Sequence, residues 1–501
     1  GLTVKSTYPP SSISAVILTR LAKQYQSNMV RSSLQLNSEW IPKVEESLAI
    51  KQLTQRSLAE RLEVSRSSIS KFINCKPVAL NTFIRLCQEL DLDWNSASQP
   101  EREWNDQIES FKFKREDFKA NPGGQVAPDE IVGREDLIER LWSHLQQQSL
   151  IFSGERRIGK SSILKKMTAE AIADMLPIYR DLEGIRTPIE FVEAVWQDTE
   201  TYLRDVGTAR RVREYLSHLT GSYFDGYQFP EVAAEHWKIL LTKTIEDLVT
   251  LQDKQIVLIW DEMPHMLGNF SDETAMEILD SLRSLRQTYP DVRMVFSGSI
   301  GLHHIIKNLQ KAGYSNDPTN DMYPIEGQPL SLEEATQLTI NLFQGEDIPV
   351  VDLQQTAENI ALAADCIPFY IHHLINQFKA VESEIDSEVI ANTVNECLRS
   401  SLNLWKMDHY RERIDNYYNE EQKPYALEIL DILSINSPTS FSRLWQYLKS
   451  EPETKDKEMA RTVLRLLLKD YYLVQEDNLS GSMYTFRYQL VQKYWQISRG
   501  L

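Results

Sequence analysis

Ser149-Leu150-Ile151-Phe152-Ser153-Gly154-Glu155-Arg156-Arg157-Ile158-Gly159-Lys160-Ser161-Ser162 is the stretch from which the fold can be read. The apolar run Leu150–Phe152 suits a buried parallel strand, and Ile163-Leu164-Lys165-Lys166-Met167 continues as a helix. Between them Gly154-x4-Gly159-Lys160-Ser161 has the spacing of a phosphate-binding loop. The chemistry explains the spacing: glycines let backbone N–H groups close around phosphate oxygens, and the following helix points its positive end at them. The loop residues Gly154, Glu155, Arg156, Arg157, Ile158, Gly159, Lys160, Ser161 and Ser162 are therefore the candidate cradle for a nucleotide. Lys160 is placed to reach the outer phosphates and Ser161 to offer a hydroxyl to Mg²⁺.

Working outward, Leu176-Pro177-Ile178-Tyr179-Arg180-Asp181-Leu182 reads as the next strand, and a long helical tract from about 188 to 251 follows it. Ile256-Val257-Leu258-Ile259-Trp260 is an apolar strand buried on both faces, and Asp261-Glu262 emerges at its carboxyl end, where α/β sheets hold their ligands. Asp261 is the candidate metal ligand beside Ser161, and Glu262 the candidate base that takes a proton from water. A further strand, Arg293–Phe296, ends in Ser297-Gly298-Ser299-Ile300-Gly301. Beyond Pro329 the chain turns helical, with Ser331 and Glu334 spaced as a capping box. Near the C-terminus, helical patterns from Tyr425 are followed by an alternating strand pattern around Tyr484–Tyr488. His372 and His373 have no Cys, Asp or Glu partner at ligand spacing and read as packing residues.

The N-terminal part has another character. Trp40, Val44 and Leu48 fall at helical spacing, Thr54 caps a second helix through Leu62, and a third runs from Ser65 to Ile73. Helix, tight turn and helix present Gln55, Arg66, Ser67, Ser70 and Lys71 as candidate DNA contacts, with Arg66 suited to a guanine edge. Residues 1–95 hold 12 Lys/Arg against 8 Asp/Glu, although the chain carries −18 overall. An acidic remainder excludes a chain that coats nucleic acid along its whole length.

At 501 residues the chain is long enough for about three domains. Its 42% hydrophobic and 25% charged residues are ordinary for a globular protein, and no apolar run is long enough to span a membrane. Cys75, Cys87, Cys366 and Cys397 follow no metal or redox spacing, which fits a reducing compartment, and a cytoplasmic location is expected.

The stretch "LTQRSLAERLEVSRSSISKFINCKPV" with "FIRLCQELDLDW" resembles the phage-repressor type of helix-turn-helix over residues 38–95, with Asn74-Cys75 where that family often has Asn-Gly. "IVGRED" at 131–136 followed by "GERRIGKSS" resembles the STAND class of AAA-related ATPases, closest to the archaeal-ATPase-like group. The resemblance implies ATP as ligand and Gly133 and Arg134 against base and ribose. It also implies a γ-phosphate sensor at Ser297 or Ser299, a helical lid with Pro368 near the adenine, and a C-terminal winged helix that binds DNA or docks on the core. Cys366 stands where the family's Gly-x-Pro has glycine. The expected architecture is multidomain: an N-terminal arm (1–37), an all-α helix-turn-helix domain (38–95), a linker (96–130), an α/β core with a parallel sheet (131–326), a lid (327–400) and a winged helix (401–501). The expected function is a slow, regulatory ATPase acting as a switch coupled to DNA, in transcription or a defence or mobile-element response. A DNA-remodelling ATPase of initiation or transposition type and a signalling scaffold without DNA contact stand as alternatives. A homo-oligomer formed on ATP binding, an unidentified protein partner and no membrane contact complete the expectation. Arg156, Arg157, Arg283 and Arg286 are candidates for an arginine finger.

Overall fold

The computed structural model describes residue 97 and residues 33–92 and 118–501, apart from 52, 63–65, 77, 91, 125, 204–209, 225, 227, 300, 315, 382, 450–454 and 479–480. The chain forms two compact units, residues 1–113 and 114–501.

In the first unit, β1 (Ser33–Leu34) pairs antiparallel with β2 (Val78–Ala79). Helices run over Ile41–Ile50, Gln55–Leu62, Arg66–Ile73 and Leu80–Glu89. Their apolar faces meet in a core of Leu36, Val44, Leu58, Leu62, Ile69, Phe72, Phe83 and Leu86, where the Phe72 and Phe83 rings meet edge to face at 5.3 Å. Thr54 and Ser57 cap the second helix reciprocally: the Ser57 N–H donates to Thr54 Oγ1 at 3.1 Å and the Thr54 N–H to Ser57 Oγ at 2.8 Å. Cys75 adopts φ 52°, and the Lys76 N–H reaches back to Lys71 O at 2.8 Å. The helix thus ends in the left-handed turn that glycine favours, with a cysteine bearing a backbone cost of roughly 1 kcal/mol.

The second unit is built on a parallel sheet of β3 (Leu150–Gly154), β4 (Met175–Asp181), β5 (Gln255–Asp261), β6 (Val292–Gly298) and β7 (Tyr323–Gly327), in the order β4-β5-β6-β3-β7. Alternation along β5 shows why both faces are apolar. Val257 and Ile259 join a core with Leu141, Phe152, Ile163 and Val295, whereas Ile256, Leu258 and Trp260 join Trp196, Leu240, Met294 and Phe296. The helical tract expected over about 188–251 comprises helices Pro188–Leu203, Arg210–Thr220 and Trp237–Leu251, with a 3₁₀ turn at Glu231–His236.

After β7 come helices Leu332–Gly345, Leu353–Ala363, Pro368–Phe378 and Ser387–Arg399. Helices His409–Tyr417, Gln422–Asn436, Phe441–Leu448, Lys457–Lys469 and Gln489–Arg499 follow. An antiparallel sheet is interleaved with these, of order β8-β10-β9: β8 (Thr439–Ser440), β9 (Leu473–Asn478) and β10 (Gly481–Phe486). One continuous apolar core joins Leu330 to Trp495, so lid and C-terminal region share their packing. Residues ahead of the P-loop core strap this lid: Lys119 Nζ donates to Gly345 O at 2.5 Å, the Ala120 N–H to Glu346 Oε1 at 2.6 Å and the Asn121 N–H to His372 Nδ1 at 3.1 Å. All four cysteines are free thiols. Among the described residues no helix is long and apolar enough to cross a membrane.

Ile259 is fully buried in the middle of the sheet. Ile259→Ala is expected to destabilise this unit by about 2–5 kcal/mol, measured as a shift of its urea unfolding midpoint.

Candidate phosphate-binding site

The loop after β3 closes as its spacing requires. Gly159 has φ 97°, a left-handed value that suits glycine, and helix Lys160–Ala169 starts at the next residue. Lys160 Nζ is buried and donates to the carbonyls of Gly154 at 2.9 Å and Glu155 at 3.0 Å. Burial pulls this ammonium down to about 8, against the charges of Glu262, Glu155 and Asp261 that favour its protonated form. Ser161 is exposed at the start of that helix and Ser162 half-buried.

Asp261 and Glu262 stand at the carboxyl end of β5. Asp261 is buried, its Oδ2 accepting from the Tyr179 hydroxyl at 3.2 Å and its Oδ1 from the Glu262 N–H at 3.1 Å. Glu262 adopts φ 55°, a left-handed backbone unusual for glutamate. Its carboxyl is raised by burial and by Asp261, against the pull of Lys160 and Arg156. β6 lies between β5 and β3, with Ser297 paired in register with Phe152. Ser297 Oγ is fully buried and has no hydrogen-bond partner among the described residues, whereas Ser299 is half-buried. Topology therefore sets an unsatisfied hydroxyl between the loop strand and the acidic strand.

The segment expected at the base end is tied into the core. Arg134 donates to Gln328 O at 2.7 Å and Ile158 O at 2.6 Å, so it braces the loop from behind. Gly133, at φ 71°, lies so near Glu334 that a Cβ there would fall 2.8 Å from Glu334 Cβ. Pro368 opens helix Pro368–Phe378 half-exposed, and the preceding Cys366 takes φ 54°, the backbone of the glycine it replaces.

The sequence gives no signal for what closes over the loop. Glu155, 1% exposed, is held by Arg413 from helix His409–Tyr417, with Nη2 2.5 Å from Oε1 and Nη1 3.2 Å from Oε2. Burial alone would raise the Glu155 carboxyl, but Arg413 and His409 hold it well below the usual carboxylate range. His409 Nδ1 donates to Lys406 O at 2.7 Å, while its buried Nε2 lies 4.0 Å from Glu155. Arg157 donates to Trp405 O and lays its guanidinium over the Phe369 ring at 4.3 Å. The Ser153 and Tyr471 hydroxyls lie 3.0 Å apart, and Arg487 pairs with Glu326 at the end of β7. Of the four arginine-finger candidates, Arg286 is buried on Asp321 at 2.8 Å, Arg283 donates to Asp317 O at 3.2 Å and Arg157 is engaged as described. Arg156 is exposed within electrostatic reach of Glu262.

In the first unit Gln55, Ser70 and Lys71 are exposed, and Arg66 and Ser67 open helix Arg66–Ile73, their side chains lying outside the described residues. Residues 43–94 match the Cro/C1-type helix-turn-helix DNA-binding domain. Among solved structures, the Walker-type ATPase paby2304 of Pyrococcus abyssi superposes with a TM-score of 0.53 at 16% identity, covering 76% of this chain and 99% of that one. The second unit has the fold of a Walker-type ATPase. The Aeropyrum pernix ORC2 protein, in its ADPNP-ADP complexes, gives a TM-score of 0.45 at 11% identity over 78% of this chain and 99% of its own. The A. pernix ORC1 protein in complex with DNA gives 0.34 at 14% identity over 78% and 98%. Both scores are too low to carry an argument. No curated protein sequence matches the chain.

Arg413→Ala leaves Glu155 buried without its partner, a change expected to cost about 3–5 kcal/mol. Hydrogen exchange should accelerate across 405–417; unchanged protection there would show that other contacts hold the segment.

Proposed function

We propose that this chain is an ATP-dependent switch, a slow regulatory ATPase whose nucleotide state is coupled to DNA binding by its helix-turn-helix unit. The carrying observation is that two side chains of the phosphate loop itself, Glu155 and Arg157, are bonded to residues 405–413 of the C-terminal region. Filling the loop and moving that region are thereby mechanically linked. In this reading residues 401–501 form a winged helix docked on the core.

The residues fit a Mg²⁺-bound triphosphate. Lys160 gives up its two carbonyl partners to reach the outer phosphates, and the exposed Ser161 hydroxyl and buried Asp261 carboxylate would hold the metal. Mg²⁺ supplies charge neutralisation on the phosphates when bound. Glu262, whose raised carboxyl is supported by its burial, accepts the proton of the attacking water. The orphaned Ser297 hydroxyl is the preferred γ-phosphate sensor over Ser299. In this reading Gly133 and Pro368 line the base end, and Arg134 acts by holding the loop. Arg156 is the preferred in-chain cation for the transferring phosphate. On DNA, Arg66 and Ser67 read bases, while Gln55, Ser70 and Lys71 contact the backbone.

Lys160→Ala should abolish calorimetric binding of Mg-ATP, and Glu262→Gln should bind it normally but turn over at least ~100-fold more slowly. Unaltered phosphate release by Glu262→Gln would overturn the assignment of the base. Because Lys160 sits at about 8 and phosphates raise it, binding at pH 8 should take up a proton, whereas at pH 6 the lysine is already charged. The binding enthalpy should therefore vary with buffer ionisation enthalpy at pH 8 and not at pH 6. Loss of an Arg66 base contact should cost ~1–3 kcal/mol at one operator position, and Lys71→Ala should weaken all sequences alike and flatten the salt dependence. A chain that binds no duplex at low salt would refute the DNA coupling.

A further inference from the structure

Helix Leu302–Lys311, which follows β6, directs two consecutive imidazoles at one carboxylate of the C-terminal region. His303 Nε2 lies 2.8 Å from Asp470 Oδ1, and His304 Nε2 lies 3.0 Å from Oδ1 and 2.9 Å from Oδ2. The Tyr418 hydroxyl donates to Oδ2 at 2.6 Å. Donor atoms of the three residues all fall within 4.8 Å of one another. Asp470 and His304 are buried, whereas His303 lines a cavity of about 540 Å³ that also borders Lys469 and Tyr471.

We propose that His303, His304 and Asp470 bind a divalent transition-metal ion of the zinc class, which joins the C-terminal region to the P-loop core. Two imidazole nitrogens and one carboxylate oxygen are a donor set zinc takes, and an open fourth position is then filled by water or a fourth oxygen. Here the cavity beside His303 admits water, and the Tyr418 oxygen stands on the other side of the carboxylate. Zinc ligands at about 2.0–2.2 Å sit somewhat farther apart than hydrogen-bonded atoms, so each donor retreats by a few tenths of an ångström when the ion enters. The ion takes the place of the two Nε2 protons, leaving both imidazoles neutral with their protons on Nδ1. A divalent ion here meets the buried Asp470 carboxylate with two positive charges. The two sides of the site are 166 residues apart in sequence for His304 and Asp470, so the ion clamps elements that hydrogen bonds alone now join. This inference is independent of the nucleotide reading.

The test uses the full chain, free of any affinity tag and stripped of metal, in buffer with excess Mg²⁺. Titration with Zn²⁺ should show one tight equivalent and raise Tm, and Co²⁺ should develop the visible absorption of a four-coordinate nitrogen and oxygen site. Asp470→Asn and His304→Ala should each weaken Zn²⁺ by at least ~10-fold and abolish the Co²⁺ spectrum. His303→Asn, at a partly exposed position, should do the same with its far-UV spectrum unchanged, which separates lost coordination from lost folding. Absence of stoichiometric Zn²⁺ binding by the parent, or equal affinity in the parent and His303→Asn, would overturn the proposal and leave a hydrogen-bonded His–Asp–Tyr cluster.

Discussion

The Glu155–Arg413 ion pair is the constraint on which the rest of the second unit depends. A carboxylate buried in the phosphate loop is tolerable only because a guanidinium from 258 residues further along meets it with both nitrogens. Breaking such a pair by removing one partner strands a charge away from water, which costs far more than the pair itself contributes. The loop and the C-terminal region therefore keep or lose their arrangement together. Tyr471 on Ser153, Trp405 on Arg157 and Arg487 on Glu326 bind to neighbouring strand ends, so the closure is distributed over the carboxyl edge of the sheet.

Strand order does the complementary work. With β6 inserted between β3 and β5, the loop and the acidic pair are separated by one strand width, roughly 5 Å on each side, which leaves space for a phosphate group. The hydroxyl of Ser297, buried and unpaired, falls in that interval.

Much of this was legible in the chain. The loop was readable because glycines and lysine at fixed spacing carry their own mechanism, and β5 because a short, unbroken apolar run ending in Asp-Glu fits a strand covered on both faces. Cys75 and Cys366, at the places where the resembling families carry glycine, both take a left-handed backbone. What the sequence hid was long-range. Arg413 lies in "HYRERIDNYY", a run indistinguishable from a solvated helix face, and its partner Glu155 was read as part of the nucleotide cradle, whereas its side chain is turned to Arg413. His303 and His304 gave no ligand spacing because Asp470 is supplied by a distant helix end. Pairings between distant segments are set by tertiary packing, on which periodicity is silent. The 188–251 tract is helical as expected, and Gly221, Gly226 and Pro230 mark the connection that separates its second helix from its third.

The single core running from Leu330 to Trp495 decides how the site can open. Helices Pro368–Phe378 and His409–Tyr417 both feed this core, through Tyr370, Ile371 and Leu374 and through Tyr410 and Ile414, so they pack as one body rather than two. Releasing the loop from Trp405 and Arg413 therefore involves this whole packed body and not one helix of it.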